Sequence, residues 1–368
     1  MNADEQSDRY WVGFNVVRGI GPVRLRALID YFGDVERAWY ASYQELRSAG
    51  LDRRSLENLL AARSALDLDR EWERIAAAGA HVLTWNSSGY PPLLREIPDP
   101  PPVLYVKGTL AEEDAWAVAV VGTRRASVYG REVTRQLTTA LARSGITIVS
   151  GLARGIDGEA HRAALGAGGR TIAVLGCGID HIYPPEHRKL AREIVAHGAL
   201  VSDYPLGTKP EGRNFPPRNR LIAALTLGVV VVQAPARSGA LITASCALEQ
   251  GRDVFAVPGK AAGATSAGTH RLIKDGARLV DTAEDIVEEL GLEIARSALK
   301  GAPETRAAER LDGTAKMIYD MLSDEPVHID YIVAESNLPL PEIAKELHEL
   351  EIKKLVREIP GKNFIHTP

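Results

Sequence analysis

Cysteine is scarce in this sequence, in which only Cys177 and Cys246 occur among 368 residues. The two stand far apart and belong to no Cys-x-x-Cys pair or cysteine–histidine spacing, which argues against a zinc ribbon and a disulfide framework. Cysteines without partners are typical of the reducing cytoplasm, so we expect a cytoplasmic protein. The residues indicate no metal ion and no cofactor.

Long hydrophobic runs and a strong excess of one charge are also missing. No run approaches the roughly 18 apolar residues that a membrane-spanning helix needs. The opening residues, MNADEQSDRY, are acidic and polar, so we expect no secretory signal there. The formal net charge is −4, so any site for an anion must be local. With 45% hydrophobic and 25% charged residues the composition is globular, and the length suits two to three domains of roughly 150 residues.

Residues 1–80 are predicted to be helical with short polar breaks. The sequence Gly-Ile-Gly-Pro ending at Pro22 predicts a tight turn with proline at the first position of a helix, and Gly33 ends that helix. Ser42 and Glu45 have the spacing of a capping box for another helix. A Gly-x-Gly turn between helices is typical of helix-hairpin-helix and SAM-like domains, whose turn amides can face a phosphate. A plain helical bundle is the alternative.

A proline-dense segment, 85–108, predicts an extended, semi-rigid connector to a second domain, 81–292. Beyond it, short apolar runs rich in β-branched residues alternate with helical stretches such as His187–His197 and Leu241–Gln250. The runs are 117–121, 146–149, 171–175, 200–201, 229–232, 254–257 and 278–280. Strands that are apolar on both faces, with helices between them, predict a doubly wound, mostly parallel α/β sheet.

The chain ends with a predicted linker, 293–310, and a small domain, 311–368. Three helical stretches followed by a hairpin around Pro360 and Gly361 predict a winged helix, a relative of the helix-turn-helix. Residues 311–368 contain 11 Asp and Glu against 6 Lys and Arg, a net charge of −5. An acidic recognition helix is repelled by phosphates, so we expect a protein contact or a regulatory role for this domain.

The loops that follow the strands of the sheet hold the candidate binding residues, because open α/β sheets bind ligands where the strand order reverses. After the first run come Gly122, Thr123, Arg124, Arg125 and Ser127, just before a helix. Free amides and arginines at a helix N-terminus form a natural anion site. The alternative is a tight turn with solvated arginines.

The loop after the second run carries Gly151, Arg154 and Gly155. Arg154 either contacts a phosphate or forms an internal ion pair, and Asp157 is expected to cap the next helix. After the third run, Cys177 has no neighbouring base and His181 has no further metal ligands near it in the sequence. Neither is therefore expected to be catalytic or to bind a metal.

The segment from Lys209 to Arg220 combines four basic residues with one acid, and Pro216 and Pro217 directly follow its aromatic ring. Arg213, Arg218 and Arg220 could neutralise phosphates while Phe215 stacks on a base, the two ingredients of single-strand binding. Two prolines stiffen the loop and lower the cost of ordering it. In the alternative interpretation Phe215 packs inward and the arginines cap neighbouring elements.

Ser238 and Gly239 open a later helix and predict a second nest of amides for an anion. Glu249, near the end of the same helix, could act as an acid in a nucleotide-cleaving enzyme. No paired carboxylate or nucleophile–base couple accompanies it.

In their order along the chain these segments resemble the DNA processing protein A family (DprA/Smf). The resemblance runs through 120–124, 150–161, 171–180, 183–184, 215–220, 238–244 and 249–259, and so covers the whole α/β domain.

The resemblance implies an extended Rossmann-like core that binds single-stranded DNA without enzymatic activity. It implies protection of incoming single strands, loading of RecA recombinase during natural transformation, and a homodimer. It places Arg124 and Phe215 in the DNA pocket. The chain departs from the family at Gly212, where a basic residue is frequent, and at Pro185, where some relatives have lysine.

The predicted single-strand site comprises Gly122, Thr123, Arg124, Arg125, Ser127, Gly151, Arg154, Gly155, Arg213, Phe215, Arg218, Asn219, Arg220, Ser238 and Gly239. Two alternatives remain. A phosphoribohydrolase-like enzyme would use Glu249, whereas an NAD-dependent oxidoreductase lacks the Gly-x-Gly-x-x-Gly motif and an acid for the ribose.

Overall fold

The protein is described by a computed structural model covering residues 3–261, 263–292, 311, 313–323, 326–336, 338–352, 355–359 and 361–366. It forms two compact units, Met1–Ala295 and Arg296–Pro368. The predicted linker at 293–310 lies outside the described residues. Among the described helices, none is long and apolar enough to cross a membrane.

Six helices open the first unit. They are α1 (Ala3–Val16), α2 (Pro22–Phe32), α3 (Val35–Tyr40), α4 (Tyr43–Ser48), α5 (Arg53–Ala65) and α6 (Leu68–Ala77). Pro22 begins α2 and Gly33 ends it with a left-handed φ of 82°. Ser42 and Glu45 form the predicted capping box of α4. In the turn before α2, the carbonyl of Gly19 accepts hydrogen bonds from Arg24 and Ser55, so the turn is tied to α5.

The N-terminal helices share a hydrophobic core with the sheet. Buried Trp11 and Phe14 of α1 belong to one cluster with Val103, Tyr105 and Leu200 of the sheet. Asn15 donates to the Tyr105 hydroxyl at 3.3 Å and to the Asp203 carbonyl at 3.2 Å. The predicted boundary near residue 80 therefore marks a change of secondary structure within one compact unit.

Nine strands of the described residues form one sheet in the order β1-β2-β6-β5-β4-β3-β7-β8-β9. The strands are β1 (His81–Thr84), β2 (Val103–Gly108), β3 (Ala117–Gly122), β4 (Thr147–Ser150), β5 (Thr171–Val174), β6 (Gly198–Ser202), β7 (Gly228–Gln233), β8 (Asp253–Ala256) and β9 (Arg278–Leu279). From β6 to β9 neighbouring strands are parallel, whereas β2 pairs antiparallel with β6 and β1 with β2. The predicted doubly wound, mostly parallel sheet is confirmed.

The prediction of a plain connector at 85–108 is wrong in part, because its end, β2, joins the sheet. The first four residues of β2, from Val103 to Val106, are buried, and the strand pairs with β1 on one side and β6 on the other. The prolines precede the strand, where a missing amide hydrogen costs no ladder bond. The segment's proline density masked the apolar run that follows it.

Helices cover both faces of the sheet. They are α7 (Pro92–Arg95), α8 (Val128–Arg143), α9 (Ile156–Gly166), α10 (Arg188–His197), α11 (Phe215–Ala224), α12 (Gly239–Glu249), α13 (Ala267–Lys274) and α14 (Ala283–Glu289). The chain leaves β3 towards β4 on one side, and β7 later pairs with the other side of β3. The strand order thus reverses between β3 and β7, where open α/β sheets leave a crevice for ligands.

The second unit is a winged helix. It comprises α15 (Gly313–Asp320), β10 (Val327–His328), α16 (Ile329–Ser336), α17 (Leu340–Ile352), β11 (Val356–Ile359) and β12 (Asn363–His366), with the antiparallel strand order β10-β12-β11. Ile318, Ile332, Ile343 and Leu347 meet in its core. The predicted three helices and hairpin are confirmed, and β10 adds a third strand.

The shared core predicts that Phe14→Ala destabilises the sheet as well as the helices. Phe14 is fully buried, with its ring centroid 5.2 Å from that of Trp39, and loss of such a side chain costs about 3–5 kcal/mol. Hydrogen–deuterium exchange of the β3 amides during urea titration measures the effect. Unchanged protection of β3, with faster exchange in α1 alone, would contradict a common core.

Candidate functional site

A cleft of about 620 Å³ opens at the carboxyl ends of β3 and β7. Its walls come from the end of β3 and the loop after it, from part of the segment 210–222 around the start of α11, and from part of the segment 235–243 around the start of α12, with Ala153, Asp157 and Tyr183 at the side. We call it the switch-point cleft. Eight of the predicted site residues besides Phe215 line it, namely Gly122, Thr123, Arg124, Arg125, Arg218, Asn219, Ser238 and Gly239.

The loop after β3 brings two exposed arginines, Arg124 and Arg125, to the cleft. Close packing holds the loop in place. Gly155 has a φ of +76°, and a Cβ there would lie 2.2 Å from the carbonyl oxygen of Thr123. The amide of Ile156 donates to that same oxygen at 3.2 Å. The absence of a side chain at Gly155 therefore allows the loop that carries Arg124 and Arg125 to pack closely against the start of α9.

Phe215 lies half-buried on the wall of the cleft at the first position of α11. Arg124 and Arg218 place their guanidinium carbons 5.2 Å and 5.8 Å from the centroid of its ring, within the range of a cation–π contact. The ring of Tyr183 is 5.7 Å away, tilted by 33°. Gly176 lies behind the ring, because a Cβ there would be 2.8 Å from Phe215 Cδ1.

Arg218 borders the cleft but is only 4% exposed. Its Nη1 donates to the carbonyl of Gly151 at 2.8 Å and to the carbonyl of Val174, and its Nε donates to Asn219 Oδ1 at 3.2 Å. Burial raises the pKa of the nearby Asp157 carboxyl, and the positive charge of Arg218 opposes that rise. These contacts make Arg218 an internal tie between the ends of β4 and β5, which is the alternative that the sequence left open.

Arg220 also points its charge into the protein. Its guanidinium donates to the Asp99 carbonyl at 2.7 Å and to the Asp203 carboxylate at 3.2 Å. Burial raises the pKa of Asp203, and Arg220 opposes the rise. Arg220 is absent from the cleft lining, so its predicted phosphate contact finds no support in the geometry.

Four other predicted residues have local partners. Ser127 caps α8 and exchanges hydrogen bonds with Gln233, and Gly151 leaves room for Arg218, whose Nη1 would lie 2.6 Å from a Cβ. Arg154 pairs with Glu186, and Arg213 pairs with Glu211 at 2.8 Å. Both arginines are largely exposed, and such pairs are weak enough to exchange for another anion.

At the start of α12, Ser238 Oγ accepts a hydrogen bond from the Ala240 amide at 3.4 Å, and Asn219 Nδ2 donates to the Gly239 carbonyl at 3.1 Å. Residues that the sequence reasoning missed also line the cleft, among them Arg237, Tyr183 and Thr243. A basic residue directly before a cap serine was the available signal for Arg237. Tyr183 could not be predicted from the sequence, because it reaches the cleft only through the packing of the loop after β5 against Phe215.

The surroundings of Glu249 and Cys177, which were weighed for catalysis, do not favour it. Glu249 is the last residue of α12, about 15 Å along the helix from Gly239 at 1.5 Å per residue. Burial raises the pKa of the Cys177 thiol to about 11, which disfavours the reactive thiolate. Within the described parts of the chain, no group of three or more histidine, cysteine or acidic side chains is placed to hold a metal ion.

Comparison with known proteins gives matches along most of the chain. Residues 81–291 match the family model described as DNA recombination-mediator protein A, and residues 302–362 match the DprA winged helix domain. Protein Smf of Synechocystis is 37% identical over 96% of this chain and 98% of its own length. DNA processing protein DprA of Bacillus subtilis is 47% identical over 58% of this chain and 72% of its own length.

Two solved structures are also similar. DNA processing protein A of Streptococcus pneumoniae aligns with a TM-score of 0.67 and 34% identity, covering 76% of this chain and 96% of that one. DNA processing protein A of Helicobacter pylori, described for its single-stranded DNA binding mode, aligns with a TM-score of 0.53 and 31% identity, covering 59% of this chain and 98% of that one.

We predict that Arg220→Met destabilises the fold. The substitution leaves the largely buried Asp203 carboxylate, whose side chain is 18% exposed, without its ion-pair partner, and breaking such a pair costs up to about 3–5 kcal/mol. Urea unfolding followed by circular dichroism measures the loss. Arg213→Met is the matched control, because the side chain is 77% exposed and its replacement should change stability by less than about 0.5 kcal/mol. Equal stability of the two variants would contradict the internal role of Arg220.

Proposed function

The chain belongs to the DNA recombination-mediator protein A family, and from this premise we propose that it binds single-stranded DNA in the switch-point cleft and acts in DNA processing without catalysis. The observation that carries the proposal is the half-buried ring of Phe215, which lines the cleft with Arg124 beside it. A ring for a base and a cation for the phosphate are what a single strand requires.

The charge of the cleft supports the proposal. Arg124, Arg125 and Arg237 line it, and among the described lining residues Asp157 is the one acid. Asp157 is buried beside Arg218, so its charge is opposed within the protein. The cleft is therefore locally basic although the whole chain carries a net charge of −4. This agrees with the expectation from the composition that any anion site is local.

The manner of contact predicts little sequence preference. Every base presents a flat face that can stack on a phenyl ring, and arginines contact the backbone that all sequences share. A protein that handles strands of any sequence needs this kind of site.

The finer parts of the proposal rest on family membership. We infer that the protein protects incoming single strands during natural transformation, loads RecA recombinase onto them, and works as a homodimer in the cytoplasm. The structure of the Helicobacter pylori relative supports the single-strand ligand. The acidic face of the winged helix, with Glu342 and Glu351 exposed on α17, suits a protein partner better than DNA.

Phe215→Ala and Arg124→Ala test the placement of the strand. Loss of stacking should weaken oligonucleotide binding by about 1–3 kcal/mol. Loss of Arg124 should also lower the slope of log affinity against log salt by about 0.7, because one phosphate contact disappears. Fluorescence anisotropy with an oligothymidylate across a salt series measures both. Tyr31→Ala, an exposed ring on α2, is the control. Unchanged binding in both cleft variants would contradict the placement.

Gly176→Ala tests the position of the ring without removing it. The new methyl group would lie 2.8 Å from Phe215 Cδ1, so the ring must shift. We expect weaker oligonucleotide binding, by part of the roughly 1–3 kcal/mol that stacking contributes. Gly212→Ala is the control in the same wall of the cleft, since nothing lies within 4 Å of its added Cβ. Equal affinities of the two variants would count against a fixed ring.

A further inference from the structure

The N-terminus of α12 presents an unsatisfied donor to the switch-point cleft. Ser238 uses its hydroxyl to cap the Ala240 amide. The amide of Gly239, at the first position of the helix, donates to no acceptor among the described residues, and a Cβ at Gly239 would meet nothing within 4 Å. The amide is therefore open to a ligand, and the helix dipole favours an anion there.

Arg237 directly precedes this helix start and lines the same cleft. It is exposed, and it forms no ion pair or hydrogen bond with any residue that the structure describes. Arg154, Arg213 and Arg220 differ from it, because each has a carboxylate partner. Because Arg237 has no carboxylate partner among the described residues, its guanidinium can bind an anionic ligand at the start of α12.

Thr243 supplies an independent observation. It lines the cleft, is 2% exposed, and makes no side-chain hydrogen bond to the part of the chain that the structure describes. A helical threonine commonly donates to the carbonyl four residues earlier, as Thr134 does to Gly130 at 2.6 Å. For Thr243 that carbonyl is Gly239, which receives Asn219 Nδ2 instead. The Thr243 hydroxyl is thus left without a protein partner on the cleft wall, where a ligand in the cleft can reach it.

We propose that Arg237, the Gly239 amide and the Thr243 hydroxyl form a second phosphate subsite, which takes a phosphodiester of the strand whose base stacks on Phe215. The inference rests on the proposed function. The three groups can donate to the non-bridging oxygens of one phosphate. The strand then crosses the switch point from the β3 loop to α12, so tight binding requires linked nucleotides.

Arg237→Gln and Thr243→Val test the subsite in the full-length protein by anisotropy with an oligothymidylate. Arg237→Gln should weaken binding about fivefold or more and lower the salt slope by about 0.7. Thr243→Val should weaken it by roughly threefold to tenfold with the slope unchanged, and Thr243→Ser should restore binding. Arg47→Gln on α4 is the charge-matched control outside the cleft. Circular dichroism confirms that each variant is folded.

The outcomes separate the two proposals. If Phe215→Ala weakens binding while Arg237→Gln and Thr243→Val do not, the subsite is wrong and the proposed function stands. If none of the three affects binding, the proposed function fails with it. A thymidine dinucleotide should compete better than thymidine mixed with inorganic phosphate, and this advantage should vanish in Arg237→Gln. Equal competition by the two probes in the unsubstituted protein would overturn the assignment to a strand phosphodiester.

Discussion

The buried guanidinium of Arg218 is the interaction on which the cleft depends. It ties the backbone at the ends of β4 and β5 through Gly151 and Val174, and its charge faces the buried Asp157. Because Arg218 belongs to the first turn of α11, the same contacts hold that helix start against the sheet. Phe215 lies three residues earlier, at the start of the same helix, so these contacts also fix its position at the cleft.

The close approach of loops around this tie requires residues without side chains. Gly151 admits the guanidinium of Arg218, Gly155 admits the carbonyl of Thr123, and Gly176 admits the ring of Phe215. Glycines that sequence reasoning assigned to a ligand thus serve packing at two of the predicted positions. Their effect on binding is indirect, since they place the arginine and the ring that face outward.

The arginines in and around the cleft form two groups, one that stabilises the fold and one that lies open to the cleft. Arg218 and Arg220 compensate buried carboxylates and hold the framework, and removing such a partner is costly because a charge remains in a poorly hydrated interior. Arg124, Arg125 and Arg237 lie at the cleft, where water and a ligand can reach them. The basic segment 209–220 therefore supports the site through Arg218 and Arg220 and supplies part of its surface through Phe215.

The residues by themselves determined the architecture. Apolar β-branched runs with helices between them specify a parallel sheet because both faces must be buried, and the capping residues of α2 and α4 are set by local geometry. The order of the motifs indicated the family, and the loops after the strands located the cleft. Only the tertiary structure decided which arginines face the cleft, that β2 joins the sheet, and that Arg237, Thr243 and Tyr183 line the cleft. Burial and ion pairing of a side chain depend on partners distant in the chain, such as Asp203 for Arg220, and no local pattern encodes those.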